Sequence, residues 1–129
     1  MHIISNNLIF PNVEEADKMG ILAIGGDLTP ERLLLAYQSG IFPWFEDNDP
    51  IIWWSPNPRM VLFLHEFEVS KSMRNIINRN IFKVTFNQDF KSVITHCRQV
   101  KRNGQQGTWI SDEMIDAYCK LNELGIAKS

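Results

Sequence analysis

The residues best placed to do chemistry in this 129-residue chain are aromatic and cationic. Trp44, Trp53, Trp54 and Trp109 stand among prolines and glycines: Ile41-Phe42-Pro43-Trp44-Phe45, then Asp49-Pro50-Ile51-Ile52-Trp53-Trp54-Ser55-Pro56-Asn57-Pro58-Arg59, then Gly107-Thr108-Trp109-Ile110-Ser111. Each indole brings a large apolar face and one N–H that needs a partner. Prolines fix the backbone around these rings. A rigid aromatic platform suits a flat ligand such as a nucleobase; it also suits core packing, and both readings stand at this level. Trp53 and Trp54 are consecutive in an extended run and so face opposite ways, one toward a core and one partly exposed. Trp44, in a proline-fixed loop, and Trp109, at a helix entry, are the better ligand candidates, because loops on a rigid scaffold carry function.

The cations form a second candidate feature. Lys71 and Arg74 are three apart and share a helix face, with Arg79 further along, while Arg98, Lys101 and Arg102 surround a loop. Such a patch either positions RNA through its phosphates or is a solvated helix surface. No nucleophile constellation is visible around His2, His65 or His96. Gly25-Gly26-Asp27 after an apolar run lacks both G-x-G-x-x-G and GxxxxGK[ST], and reads as a tight turn. Cys97 and Cys119 lack metal-ligand spacing and read as buried thiols inside helices.

The elements that must position these residues follow from pattern. Residues 8–10 read as extended, and 14–19 as a turn or two of helix. Residues 20–27 read as an extended segment closed by the glycine pair. Thr29-Pro30-Glu31 opens a helix with Leu33, Leu34, Ala36 and Tyr37 on its apolar face, and Gly40 ends it. A loop over 42–48 leads to a strand over 51–54, broken by Ser55-Pro56-Asn57-Pro58. Residues 59–64 read as a buried strand and 82–86 as a half-exposed one. Between them Ser70 caps a helix with Met73, Ile76 and Ile77 inside. Asn87 caps the next, with Phe90, Val93, Ile94 and Cys97 inside, and 100–107 is a mobile loop. Ser111 starts a last helix with Met114, Ile115, Tyr118 and Leu121 inside, ending at Gly125. The fold class is α+β, divided at the proline cluster into residues 1–58 and 59–129.

Composition narrows the classes. With 44% hydrophobic and 22% charged residues, a net charge of -2 and a pI near 5.9, the chain is a folded protein without the overall basicity of a general nucleic-acid binder. It lacks a signal-type N-terminus and any apolar run near about 18 residues. A soluble, cytoplasmic protein without membrane or DNA partners is expected.

Four segments in register then carry a resemblance: residues 20–28, 36–45, 53–59 and 107–110. Their order and spacing resemble the bacterial leucyl/phenylalanyl-tRNA–protein transferases, over essentially the whole chain from Phe10 to Ser129. The resemblance implies a small N-terminal α/β domain followed by the opening of an acetyltransferase-like (GNAT-like) domain. It implies transfer of leucine or phenylalanine from charged tRNA to the α-amine of proteins beginning with Lys or Arg, which marks them for degradation. The amine attacks an already activated ester, so no metal or other cofactor is required. By position, Trp44 and Trp109 match residues holding the 3′-terminal adenosine, and Tyr37 a further position beside them. Lys71, Arg74 and Arg79 match a basic helix that engages the tRNA body, although Asn75, Ile77 and Asn78 stand where relatives can be basic.

Family members continue well beyond the position of Ser129. The resemblance therefore implies that the residues activating the amine, and much of the pocket for the leucine or phenylalanine side chain, lie outside these residues. No catalytic residue is assigned within them, and the 129 residues are expected not to transfer by themselves. The alternative is an RNA 3′-end-binding module without catalysis. A third possibility is an interaction domain whose tryptophans are all core.

Overall fold

The computed structural model describes residues 2–101, 103–104 and 108–129. The structure is α+β, with a small mixed sheet carrying helices. Its four strands are β1 (His2–Ile4), β2 (Ile21–Gly25), β3 (Phe42–Pro43) and β4 (Ile52–Trp54), in spatial order β1-β2-β4-β3. β1 runs parallel to β2, and β4 is antiparallel to both β2 and β3. Among the described residues there are four α-helices: α1 (Pro30–Gln38), α2 (Lys71–Asn78), α3 (Phe90–Gln99) and α4 (Asp112–Glu123).

The core forms where the apolar centre of the sheet meets α1 and α4. Leu22, Ala23 and Trp53 from β2 and β4 pack with Leu33 and Ala36 of α1 and Met114 and Leu121 of α4. Ala23 pairs directly with Trp53 across the two strands. Trp53 is fully buried, and its indole N–H donates to the Gly25 carbonyl at 2.9 Å. Phe10 meets its ring edge-on at 4.8 Å. The alternation expected of Trp53 and Trp54 is therefore realised, because Trp54 is only half-buried.

The glycine pair forms a turn. Gly25 has φ +96° and would place a Cβ 2.8 Å from the Ile4 carbonyl oxygen, so only glycine lets β1 lie against β2 there. Asp27 then accepts from the Thr29 N–H and hydroxyl at 3.0 and 2.6 Å and from Arg32 at 3.2 Å. Partial burial of the Asp27 carboxyl acts to raise its pKa, but these donors outweigh it and hold the value below the ordinary one. Thr29 occupies the N-cap of α1 but makes no side-chain capping bond; its hydroxyl is turned to donate to Asp27 instead.

Several expectations are corrected. The strand preceding β2 is β1 at residues 2–4 rather than a segment at 8–10, since the parallel edge of β2 is filled by His2–Ile4. Between β1 and β2 there is one turn of 3-10 helix, Val13–Glu15. On α1, Leu34 and Tyr37 are exposed and Arg32 is buried. The Arg32 guanidinium donates to the Ser5 carbonyl at 3.0 Å and sits over the Phe10 ring, which tethers the segment after β1 to the helix. Its Nε and Nη1, both buried, have no hydrogen-bond partner among the described residues.

Residues 59–64 and 82–86 are not strands. Met60, Leu64, Phe82 and Phe86 are largely exposed, and a single 3-10 turn, Leu64–Glu66, interrupts the first run. An extended apolar run becomes a strand only against a partner edge, and no described strand pairs with either run. For the same reason the apolar face of α2 is uncovered: Met73 and Ile77 are about half exposed, although Ser70 caps the helix as expected. α3 lies along α4 but buries none of its residues fully. Phe90 and Ile94 are half-buried, while Val93 and Cys97 are exposed, so the Cys97 thiol is not a core group; Cys119 is half-buried. The cap of α3 is Asp89, whose carboxylate accepts from the Ser92 N–H. Asn87 instead exchanges two hydrogen bonds with Ser129. α4 matches expectation at Met114, Ile115 and Leu121, all buried, with Tyr118 half-buried. The expected loop at 100–107 lies in part outside the described residues, Arg102 and Gly107 included.

Candidate functional site

One cleft collects the aromatic residues singled out in the sequence. Its lining includes Tyr37, Phe42, Trp44, Arg59 and Trp109, and its volume is about 520 Å3. Each wall is set by a different element. Tyr37 lies one residue before the end of α1, on the turn that Gly40 closes at φ +72°. A left-handed residue at this position lets the chain reverse directly into β3. Phe42 and Pro43 pair with Trp54 and Trp53, so the loop carrying Trp44 springs from a hydrogen-bonded edge. The Trp44 N–H donates to the Ile52 carbonyl at 2.9 Å. Trp109 sits two residues before the buried Ser111, whose hydroxyl caps α4 by accepting from the Met114 N–H.

The two candidate tryptophans differ in burial. Trp44 is 50% exposed and stands outside the core. Its ring leans on Trp54, centroids 5.5 Å apart, and the Trp54 indole N–H donates to the Trp44 carbonyl at 2.6 Å. Trp44 is therefore braced by Trp54 while about half of its surface stays open. Trp109 is half-buried and packs against the core as well as lining the cleft. It also borders a smaller apolar pocket of about 220 Å3 formed with Phe90, Ile94, Cys97 and Tyr118.

Tyr37 is tied across the fold to Tyr118 of α4. The two hydroxyls are hydrogen-bonded, and the rings meet edge-on at 6.4 Å. Burial, and then this bond, push the Tyr118 phenol above its ordinary range, so it stays neutral at all physiological pH values. Tyr118 was expected only as a helix-packing residue; its hydroxyl link to the cleft needed the tertiary structure.

Arg59 is the residue that reading missed. Pattern places it at the start of a buried strand, yet its side chain is exposed in the cleft. Its guanidinium lies over the Phe42 ring at 5.4 Å and donates to the Gly40 carbonyl at 2.7 Å. The available signal was an arginine directly after a proline-fixed turn, where it cannot retreat into a helix. Lys71, Arg74 and Arg79 do not line this cleft; all three are exposed on or just after α2.

The arrangement is a tilted aromatic platform with a hydroxyl and a guanidinium at its edges. It can stack a planar ring and hold an attached polar or anionic group. Among the described residues no three or more His, Cys, Asp or Glu side chains gather in a way that would hold a metal ion. Likewise, none of the described helices is long and apolar enough to cross a membrane.

Comparison with known proteins decides the family. The family model described as leucyl/phenylalanyl-tRNA protein transferase matches residues 61–129, more than half the chain. The model for that transferase's N-terminal domain matches residues 26–57. The chain belongs to the leucyl/phenylalanyl-tRNA protein transferase family. A leucyl/phenylalanyl-tRNA–protein transferase of Flavobacterium johnsoniae is 64% identical over all 129 residues, which cover 61% of that protein. One from Myxococcus xanthus is 52% identical over 121 residues, 94% of this chain and 52% of the relative. One from Desulforapulum autotrophicum is 49% identical over 126 residues, 98% of this chain and 55% of the relative. The chain thus spans roughly half to three-fifths of the length of these transferases. The aromatic cleft draws on both matched regions, Trp44 from the first and Trp109 from the second.

Proposed function

We propose that this chain holds the aminoacylated 3′ end of tRNA for an aminoacyl transferase. That enzyme moves leucine or phenylalanine to the α-amine of proteins beginning with Lys or Arg, in the cytoplasm, as a step in marking them for degradation. The observation that carries the reading is the shared cleft of Trp44, Trp109 and Tyr37, with Trp44 half exposed in it. The 3′-terminal base is adenine, and a base on an indole is worth about 1–3 kcal/mol. Membership of the transferase family supplies the reaction class. Because the relatives are longer, the whole reaction is assigned to the full-length family protein, and the share assigned to these residues is binding.

The geometry fits that division. The cleft brings rings, one hydroxyl and one guanidinium, but no carboxylate or imidazole among its described lining residues to take a proton from the attacking amine. This favours a second reading for the 129 residues in isolation: a 3′-end-binding module that does no chemistry. Both readings are tested by titrating the chain with 3′-deoxy-3′-phenylalanylaminoadenosine, an amide analogue that does not hydrolyse, and following tryptophan fluorescence. Saturable quenching supports the site. A folded chain whose fluorescence is unmoved at millimolar analogue refutes it. Turnover by the same chain, with charged tRNA and an N-terminal-Arg peptide, would decide against the binding-only reading.

The helix carrying Lys71 and Arg74, with Arg79 at its C-cap, is proposed to meet phosphates of the tRNA body. Lys71 and Arg74 share a face and, like Arg79, are exposed. Replacing all three by Ala is expected to weaken binding of whole tRNA and to flatten its salt dependence by roughly two units of slope. Binding of the short analogue, which lacks the tRNA body, should not change. An unaltered salt slope would remove α2 from the interface.

A further inference from the structure

We propose that Arg59 is a positioning residue that takes the 5′-phosphate of the nucleotide whose base stacks in the cleft. The proposal rests on the nucleotide reading above and deepens it. Arg59 is the only ionised side chain lining the cleft among the described residues. A terminal nucleotide likewise has one anion near its ring system, the 5′-phosphate that joins it to the rest of the strand. The guanidinium is held in place by two contacts: the Phe42 ring beneath it and the Gly40 carbonyl that accepts from it at 2.7 Å.

Those contacts leave it available. A guanidinium has five N–H donors in a fixed fork, and the bond to Gly40 occupies only part of that fork. None of the ion pairs among the described residues involves Arg59, so no carboxylate among them competes for it. Guanidinium and phosphate match in planar, two-point geometry, and the resulting bonds are charge-assisted. Held over the Phe42 ring and bonded to the Gly40 carbonyl, the exposed side chain has already given up part of the rotamer freedom that a free arginine surrenders on binding. Phe42, Trp44 and Gly40 lie within a five-residue stretch of chain, so base platform and phosphate clamp are built on one rigid turn.

The test measures how much a 5′-phosphate adds to affinity. Two ligands are titrated by tryptophan fluorescence: 3′-deoxy-3′-phenylalanylaminoadenosine and the same compound carrying a 5′-phosphate. The wild-type chain, Arg59→Met and Arg59→Lys are compared, each verified as folded by circular dichroism. The ratio of the two Kd values within each protein cancels any general change in the cleft. For the wild type the phosphate is expected to tighten binding about tenfold at low salt, with the gain shrinking as salt rises. Arg59→Met should bring the ratio close to one, and Arg59→Lys should keep part of the gain. Equal binding of both ligands by the wild type overturns the Arg59 assignment while leaving the cleft reading intact. So does a full phosphate gain in Arg59→Met. Failure of the wild type to bind either ligand overturns the cleft reading itself, and the role of Arg59 with it.

Discussion

Trp44→Ala is expected to weaken binding of the aminoacyl-adenosine analogue by roughly five- to 150-fold while leaving the fold intact. The ring is half exposed and contributes no buried surface to the core. Its link to the sheet is made by backbone atoms: its N–H donates to Ile52 and its carbonyl accepts from the Trp54 indole. Alanine keeps both bonds. What is lost is the stacking face, worth about 1–3 kcal/mol per base, which is roughly five- to 150-fold in Kd. Trp44→Phe retains a smaller ring and should fall between. The measurement is a fluorescence titration paired with a thermal melt of each variant. A variant that melts like the wild type and still binds with unchanged affinity would take Trp44 out of the site. Trp109→Ala is a less clean probe, since this ring both lines the cleft and packs on the core. Its loss is expected to lower affinity and melting temperature together.

Trp53→Ala should do the opposite and strike the fold. Trp53 has no exposed surface, pairs with Ala23 across β2 and β4, and is met edge-on by Phe10. Removing a buried tryptophan costs about 3–5 kcal/mol. The Gly25 carbonyl also loses the indole N–H as a donor. Against a typical domain stability of about 5–15 kcal/mol, this is a large fraction of the total. Trp53→Phe recovers part of the packing but not the hydrogen bond, and should lie between. Urea denaturation followed by circular dichroism measures both variants. A midpoint for Trp53→Ala within error of the wild type would mean that the sheet and α1 are held together by something other than this ring. Neighbouring Trp53 and Trp54 thus separate by role: one is the keystone of the sheet, the other a brace beneath Trp44.

Much of this organisation is legible in one dimension because its causes are local. Helix α1 begins at Pro30 and stops before Gly40 for reasons contained in those residues: proline suits the first turn, and glycine accepts the left-handed conformation that ends it. Ser70 and Ser111 cap α2 and α4 as their spacing foretold, and the positive φ of the Gly25-Gly26 turn needs only glycine's backbone freedom, although the close approach of Ile4 to it is tertiary. The alternation of a strand likewise separates Trp53 from Trp54 without knowledge of what covers either. The family resemblance, too, is a property of motif order along the chain.

Tertiary structure decided whatever depends on a partner distant in sequence. The apolar runs at 59–64 and 82–86 carry the composition of strands, but a strand is completed only by the edge beside it, and no described strand pairs with these. Arg32 looks like a helix-surface residue; it is buried because Ser5, Phe10 and Asp27 converge on it from three separate segments. Tyr37 reaches Tyr118 across 81 positions. Arg59 becomes a cleft residue only because the chain reversal at Gly40 brings a carbonyl and the Phe42 ring beneath its guanidinium. Helix caps and glycine turns are set by covalent neighbours and short-range sterics, so the sequence determined them. Strand pairing, burial of charge and the convergence of Trp44, Trp109 and Arg59 on one cleft are set by packing between remote segments, which only the folded chain decides.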